Sequence, residues 1–243
     1  IGQREEYWDG YQNLGIFYYN QGRFAEAIKS FKKVTELAPE RVGGFNNLGS
    51  VYFGMGKYDK ALDLYNRSLE IRTNYVALDN MGTIYYYQKN YTKAAEIYNK
   101  ALEINNTDRR NWGYLGYAYH RSGKDSSKVR KAMRKAIELT EKELEIKPNN
   151  QVLLGELAGY NLAIGNREKG RKILQQFISL GDLNSENRRT VIHLYERLGE
   201  RDSALRWVER SLSKGDDIST LKRLEETEKL FQDPRFKELQ EKY

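Results

Sequence analysis

The amino-acid sequence predicts an all-α fold, a solenoid of about six helix-turn-helix units with a capping helix at the C-terminal end, and three recurring features indicate it. Four glycines, each preceded by Leu or Met, lie 34, 33 and 34 residues apart. A tyrosine follows each glycine by three residues, and the first three are followed by an alanine and then a bulky aromatic. A fixed period of this length is typical of stacked repeats. The glycines are Gly15, Gly49, Gly82 and Gly116, the tyrosines Tyr18, Tyr52, Tyr85 and Tyr119, the alanines Ala27, Ala61 and Ala94, and the aromatics Phe31, Tyr65 and Tyr98.

The spacing within one unit follows from helix geometry. Leu14 and Tyr18 are four residues apart, so they share one face of a helix. The small Gly15 beside them and the small Ala27 of the next helix allow two antiparallel helices to pack closely. A single pair cannot bury its own apolar face, so the pairs are expected to stack on one another.

Glycine also marks the turn inside each pair. Glycine suits the left-handed backbone conformation that ends many helices, and five glycines fall at this place. They are Gly22, Gly56, Gly123, Gly165 and Gly199. The third unit has Lys89-Asn90 there instead, and Asn90 is expected to take the left-handed conformation because asparagine tolerates it next best after glycine.

These residues resemble the tetratricopeptide repeat family, through Leu14, Gly15, Tyr18, Ala27, Phe31 and Pro39 in the first unit and the same residue types in the next two. The resemblance is clear over residues 8–108 and continues to residue 218, although the last two units lack the glycine and have Leu157-Ala158 and Val191-Ile192 instead. It implies a right-handed solenoid over 8–218, preceded by a lead-in at 1–7 and followed by a cap at 219–243. The units are expected to start near Trp8, Val42, Tyr75, Arg109, Gln151 and Ser185.

Two segments depart from the repeat. Residues 125–147 are expected to form one helix about 33 Å long at 1.5 Å per residue, with an inner stripe of Val129, Met133, Ala136 and Ile137. In the tail, Ile218, Leu221 and Leu224 predict a short amphipathic turn, and Leu230-Phe231 predicts another. Asp233-Pro234 then predicts the start of a last helix, whose Phe236 and Leu239 fold back onto the sixth unit.

The tail carries a second resemblance. Residues 233–236, with the sequence Asp-Pro-Arg-Phe, resemble the ends of bacterial repeat regions that follow kinase, cyclase or winged-helix modules. Together with the start of the chain at Ile1, this suggests a piece of a larger bacterial regulatory protein. A cytoplasmic location is favoured over a periplasmic one, and the chain is expected to be a monomer or to self-associate weakly.

Composition and motifs argue against several functions. The chain has no cysteine and two histidines, His120 and His193, which lie far apart and have no metal-binding spacing. No phosphate-loop, dinucleotide or nucleophile-elbow motif is present, and no apolar run approaches the roughly 18 residues of a membrane span. We therefore expect no enzyme activity, cofactor, metal, small-molecule substrate or membrane span, and instead a protein or peptide partner.

The resemblance implies that the first helix of each pair lines a concave groove. Asn13, Asn47 and Asn80 occupy equivalent places there, and side-chain amides both donate to and accept from the peptide groups of an extended ligand. Asparagine is also frequent at this place in such repeats, so a purely structural interpretation stands beside the ligand interpretation. Further candidates for ligand binding lie along the same first helices: Tyr19, Phe53, Tyr86, Tyr114, Tyr117 and His120.

The net charge of +7 is concentrated in one unit. Residues 109–135 carry nine basic side chains against the single acidic Asp125: Arg109, Arg110, Arg121, Lys124, Lys128, Arg130, Lys131, Arg134 and Lys135. Such a basic patch attracts nucleic acid or an anionic surface, which is the alternative function, although most charge runs are solvated helix faces. Gln12, Ile16 and Val76 replace the cations of the family's carboxylate-clamp grooves, so binding of an acidic chaperone tail is disfavoured.

Overall fold

The computed structural model describes residues 2–123, 126–219 and 227–243, with side chains from residue 7 onward. The chain divides into two compact units, residues 1–128 and 129–243. Every regular element among the described residues is a helix. The helices are α1 (Gly2–Asn20), α2 (Phe24–Leu37), α3 (Val42–Gly54), α4 (Tyr58–Ile71), α5 (Tyr75–Tyr87), α6 (Tyr91–Ile104), α7 (Arg109–Arg121), α8 (Ser126–Ile146), α9 (Gln151–Ala163), α10 (Arg167–Ser179), α11 (Ser185–Leu198), α12 (Arg201–Leu212), α13 (Glu228–Gln232) and α14 (Pro234–Lys242).

Within each compact unit, consecutive helices pack as pairs, and neighbouring pairs pack on one another. In the first unit the pairs are α1 with α2, α3 with α4, and α5 with α6, and the second helix of each pair also contacts the first helix of the following one. In the second unit α9 pairs with α10 and α11 with α12. The predicted fold class, an all-α array of helix-turn-helix repeats, is therefore confirmed.

The repeat glycines are sites of close approach between paired helices, as the spacing predicted. A Cβ atom on Gly49 would lie 2.8 Å from Cε1 of Tyr65, and one on Gly82 would lie 2.7 Å from Cε1 of Tyr98. Both tyrosines are completely buried. Only a glycine leaves room for these rings, so each pair is held by an aromatic side chain seated on the backbone of its partner helix.

The turns confirm the five predicted glycines and correct the expectation for Asn90. All five turn glycines have positive φ, between 67° and 84°. In the turn of the third helix pair, however, the expectation for Asn90 is wrong, because Lys89 takes the left-handed conformation with φ 60°. Asn90 is instead the N-cap of α6, where its side-chain oxygen accepts a hydrogen bond from the backbone N–H of Lys93 at 3.2 Å. Lys89 lies 33 residues after Gly56, so it occupies the glycine's own place in the repeat.

Helix α8 has 21 residues, against 13 for α7, so the predicted long helix is confirmed. Its predicted inner stripe is buried: Val129, Met133, Ala136 and Ile137. The boundary between the two compact units falls within this helix, after Lys128.

The C-terminal end of the second unit is covered by α13 and α14. Asp233 caps α14 by accepting a hydrogen bond from the backbone N–H of Arg235 at 3.1 Å, and Pro234 occupies the first turn, as predicted. Phe236 is fully buried among side chains of α11 and α12, with Leu239 beside it. Ile218 is buried in the same cluster, whereas Leu221 and Leu224 of the predicted turn lie outside the described residues.

Candidate functional site

In the first unit, α1, α3, α5 and α7 present the residues predicted to bind a ligand; we call this face the A-helix surface. Asn13 is exposed, and Asn47 and Asn80 are half-buried. The side-chain amide nitrogen of Asn80 donates to the carbonyl oxygen of Val76 at 3.0 Å. The side-chain oxygen of Asn80 takes no part in that hydrogen bond. The three amides are therefore accessible and repeat from helix to helix, rather than being sealed inside the pairs.

The aromatic residues of this surface have a structural role within each pair. The rings of Tyr19 and Phe24 have centroids 6.0 Å apart. The ring of Phe53 lies in the same way against Tyr58, the first residue of α4, with centroids 6.0 Å apart. The ring of Tyr86 lies against Tyr91, the first residue of α6, with centroids 5.3 Å apart. Each ring thus packs across the turn against the start of the second helix. Phe53 and Tyr86 are half-buried and Tyr19 is 37% exposed, so part of each ring still faces outward.

Helix α7 brings a larger aromatic cluster together. Tyr114 occupies the place of Asn80 in the repeat, and its ring stacks on that of Tyr98 with centroids 5.6 Å apart and planes 6° from parallel. Tyr86 lies against Tyr114 at 5.8 Å. Tyr114 and Tyr117 are half-buried and His120 is exposed. The asparagine row therefore ends at α5, and on α7 its place is taken by a tyrosine within a cluster of aromatic rings.

Sequence reasoning missed a polar cluster where α5 meets α7. The hydroxyl of Tyr75 donates to Oδ2 of Asp108 at 2.5 Å, and the amide nitrogen of Asn111 donates to the hydroxyl oxygen of Tyr75 at 3.0 Å. Asp108 also caps α7 through the backbone N–H groups of Arg110 and Asn111. Asn111 is completely buried, so the cluster fastens the third helix pair to the fourth.

Two carboxyl groups near this cluster differ in pKa. Burial raises the pKa of Asp79, and the negative charge of Asp108 raises it further, against smaller opposing effects of Arg110 and Asn111. Burial alone would raise the pKa of Asp108, but the hydrogen bonds from Tyr75 and from the α7 backbone, with the charge of Arg110, bring it below its ordinary value. The Asp108 carboxylate is thus held charged, whereas Asp79 takes up a proton more readily.

The sequence does contain a signal for this cluster. Asn111 lies 36 residues after Tyr75, and Asn187 lies 36 residues after Gln151. In both cases the asparagine amide donates to the side chain of the residue that begins the first helix of the preceding pair. A polar residue at the start of one helix pair, together with asparagine at the third position of the next pair's first helix, therefore predicts a hydrogen bond between the two pairs.

A pocket of about 440 Å³ lies where the first helix pair meets the second, and Trp8, Gln12 and Arg41 are among the residues that line it. The Arg41 guanidinium stacks on the Trp8 ring, with Cζ 4.1 Å from the centroid. The indole Nε1 of Trp8 and Oε1 of Gln12 are both buried without a hydrogen-bond partner within the chain.

The predicted basic patch is distributed over two helices. Arg109, Arg110 and Arg121 lie on α7, while Lys128, Arg130, Lys131, Arg134 and Lys135 lie on α8 and Lys124 is outside the described residues. Among these cations, Nζ of Lys135 lies 3.0 Å from Glu138, and Nη2 of Arg110 lies 3.8 Å from Asp108.

Among the described residues, no helix combines the length and the apolar character required to cross a membrane.

The repeats have counterparts in known proteins. Residues 9–74 and 44–107 match the family model described as tetratricopeptide repeat, which supports the resemblance over the first three helix pairs. Proteins built from these repeats generally mediate protein–protein interactions. None of the curated proteins matches the sequence.

Solved structures share the fold over most of the chain. The structure of PilF from Pseudomonas aeruginosa is 22% identical in sequence with a TM-score of 0.62, and the alignment covers 99% of this chain and 100% of that chain. A tetratricopeptide repeat protein from Parabacteroides merdae is 19% identical with a TM-score of 0.65, covering 90% of this chain and 84% of that one. MamA from Desulfovibrio magneticus is 19% identical with a TM-score of 0.56, covering 71% and 94%. At these identities the likeness concerns the fold alone.

Proposed function

We propose that this chain is a protein-interaction scaffold that binds an extended peptide or a partner's helix along the A-helix surface of its first unit. The observation that carries the proposal is the row of accessible amides, Asn13, Asn47 and Asn80, repeated on the first helices of three successive pairs, α1, α3 and α5. Such a row pairs with the backbone of a ligand that runs across the helices. The aromatic cluster at Tyr86 and Tyr114 would then hold an apolar side chain at the end of the row.

The packing of the first unit supports this choice of face. The first helices of successive pairs contact each other, α1 with α3, α3 with α5 and α5 with α7. The described second helices, α2, α4 and α6, do not approach one another as closely. Within this unit, the closer approach of α1, α3, α5 and α7 supports the choice of the A-helix surface, where one ligand would contact several pairs at once.

The polar atoms on this face favour backbone recognition over charge recognition. The asparagine amides offer neutral donors and acceptors, which pair with the N–H and C=O of a ligand's peptide groups. A role within a larger bacterial regulatory protein belongs to the same proposal, and it is supported by the resemblance of residues 233–236 alone.

The test uses a peptide selected on the wild-type chain from a random linear library. Asn47→Ala with Asn80→Ala should weaken binding of that peptide by at least about tenfold, since two hydrogen bonds of about 1 kcal/mol each are lost. The matched control is Asn66→Ala with Asn106→Ala, because both asparagines are exposed residues of the first unit and neither lies on α1, α3, α5 or α7. Circular dichroism and melting should be unchanged in both double variants. Unaltered affinity in the first one would remove the A-helix surface as the binding site.

A further inference from the structure

The first helices of the second and third pairs are almost free of charged residues. Helix α3 has none, and α5 has one, Asp79. The second helices of the same pairs differ, since α4 has five charged residues and α6 has four. The side chain of Asp79 is half-buried. A single charge on an otherwise uncharged pair of helices is a candidate determinant of what this surface binds.

Asp79 lies beside both groups of residues by which the proposed site holds a peptide. It directly precedes Asn80 of the asparagine row, and it is seven residues before Tyr86, so Asp79 and Tyr86 share one side of α5. Burial raises the pKa of Tyr98, and the charge of Asp79 adds to this rise. The carboxylate is therefore also close to the ring that stacks on Tyr114.

The Asp79 carboxylate forms no ion pair with the residues that the structure describes. Its charged neighbours act from a greater distance, Asp108 with the same sign and Arg110 with the opposite one. The Arg110 guanidinium approaches Asp108 instead, at 3.8 Å. Asp79 therefore places a negative charge in a partly desolvated environment, where a cation would stabilise it.

Hydrogen-bond acceptors outnumber donors around Asp79. The hydroxyl of Tyr75 donates to Asp108 at 2.5 Å. The amide nitrogen of Asn111, which also lies near Asp79, donates to Tyr75 at 3.0 Å. The side-chain oxygen of Asn111 is buried without a hydrogen-bond partner within the chain. This environment favours a ligand group that brings N–H donors and positive charge together, as an ammonium or guanidinium group does.

We infer that Asp79 determines the class of ligand: the peptide held on the A-helix surface carries a lysine or arginine whose side chain pairs with this carboxylate. The inference rests on the proposed peptide site and adds the chemistry of its ligand. The asparagine row pairs with a peptide backbone whatever its sequence, whereas one ion pair at a fixed place sets the register of that backbone. The ligand is thus a peptide with one required basic residue.

The first experiment selects peptides from the random linear library on the wild-type chain, on Asp79→Asn and on Asp79→Glu. We expect wild-type binders to share a lysine or arginine at one position. Binders of Asp79→Asn, which has a side chain of the same size without the charge, should lack this preference, and binders of Asp79→Glu should keep it. Asp63→Asn is the control, because Asp63 is exposed on α4 and its removal should leave the preference unchanged.

A double-mutant cycle then measures the ion pair itself. In a fluorescently labelled wild-type binder, the basic residue is replaced by norleucine, which keeps the apolar stem of lysine and removes the charge. This replacement should weaken binding to the wild-type chain at least about tenfold, and binding to Asp79→Asn less than about twofold, in anisotropy titrations. Circular dichroism and melting verify that the variants are folded.

Three results would overturn the inference: wild-type binders without a shared basic residue, the same preference among binders of Asp79→Asn, or an equal effect of norleucine on both chains. Failure of the proposed function gives a different result, since Asn47→Ala with Asn80→Ala would then leave the affinity unaltered while the norleucine effect persists. A library that yields no binder on the wild-type chain would reject both proposals.

Discussion

The hydroxyl oxygen of Ser50 lies 3.1 Å from the phenolic oxygen of Tyr65, and Thr83 has the same relationship to Tyr98, also at 3.1 Å. Each tyrosine comes from the second helix of a pair and is completely buried, and each hydroxyl partner follows the repeat glycine on the first helix. Burial raises the pKa of both tyrosines far above the ordinary value, with the hydroxyl partner opposing the shift. One polar contact therefore accompanies the apolar packing of the pair.

Ser50→Ala should destabilise the chain by about 1–3 kcal/mol, because it leaves the Tyr65 hydroxyl buried without a partner. Tyr65→Phe in the same background should recover most of that loss, since an apolar pair has nothing left unsatisfied. Urea denaturation of the two single variants and the double variant checks both expectations. A loss of stability in the double variant equal to the sum of the two single losses would show that the two hydroxyls do not interact in solution.

The turn at Lys89 predicts a stabilising substitution. A residue with a Cβ atom at φ 60° costs about 1–2 kcal/mol relative to glycine, so Lys89→Gly should raise the free energy of unfolding by up to about 1 kcal/mol after the greater entropy of the unfolded glycine is counted. Gly56→Ala, at φ 71° in the equivalent turn, should lower it by a similar amount. Thermal denaturation of both variants gives the comparison. A melting temperature that falls in Lys89→Gly would contradict the strained turn.

Two helical glycines provide a further contrast. Gly49→Ala places a methyl group 2.8 Å from the buried Tyr65 ring and should destabilise the chain by about 1–3 kcal/mol through overpacking. Gly10→Ala, with nothing within 4 Å of the added atom, should stabilise α1 by up to about 1 kcal/mol through helix propensity. Denaturant midpoints measure both effects. Stabilisation by both substitutions would mean that the helices of a pair are less closely packed than the structure shows.

The helix pairs were predictable from sequence because their determinants are local. The Gly49 repeat, the turn at Gly56 and the Asp233-Pro234 helix start each involve residues within a few turns of one another. The expectation for Asn90 was wrong because the register of the repeat decides which residue takes the left-handed conformation, and Lys89 stands in the glycine's place.

Contacts between pairs were harder to predict, since they depend on which side chains stacking brings together. Asp108 and Asn111 meet Tyr75 from positions 33 and 36 residues away, and a motif confined to one unit does not contain that link. Leu14 has the same place in its unit as Leu48, yet the first is half exposed and the second buried. Burial in a repeat array depends on the neighbouring pair as much as on the residue itself.

The Asp233 cap predicts a pH-dependent contribution to stability. A side-chain hydrogen bond from Arg235, with its backbone N–H and the charges of Arg235 and Arg201, lowers the pKa of Asp233 from 3.8 to about 2, although burial opposes this. A carboxyl whose pKa is lower in the folded chain contributes stability that is complete above the unfolded value of 3.8 and is lost as the pH falls toward 2. Asp233→Ala should therefore cost about 1 kcal/mol at neutral pH, and less as the pH drops through this window.

Asp233→Asn is the control for the cap. The amide oxygen still accepts from the Arg235 N–H, so this variant should lose less stability than Asp233→Ala and should lack the pH dependence. Urea midpoints from neutral pH down to about pH 2 measure the difference between each variant and the wild type. If the difference in urea midpoint between the wild type and Asp233→Ala stays constant over this pH range, the charge of the carboxylate contributes nothing to the cap.

Salt dependence separates the peptide site from the basic patch. A ligand that pairs with neutral amides releases few counterions, so its affinity should change by less than about tenfold between 50 and 200 mM salt, whereas 6–10 phosphate contacts would lose roughly 10³–10⁵. Lys131→Glu with Arg134→Glu, both exposed on α8, should likewise leave peptide affinity unchanged. Should the selected peptide instead show the steep, log-linear loss, and the charge reversal abolish its binding, the ligand would be held by the basic residues of α8 and the asparagine row would have no part in recognition.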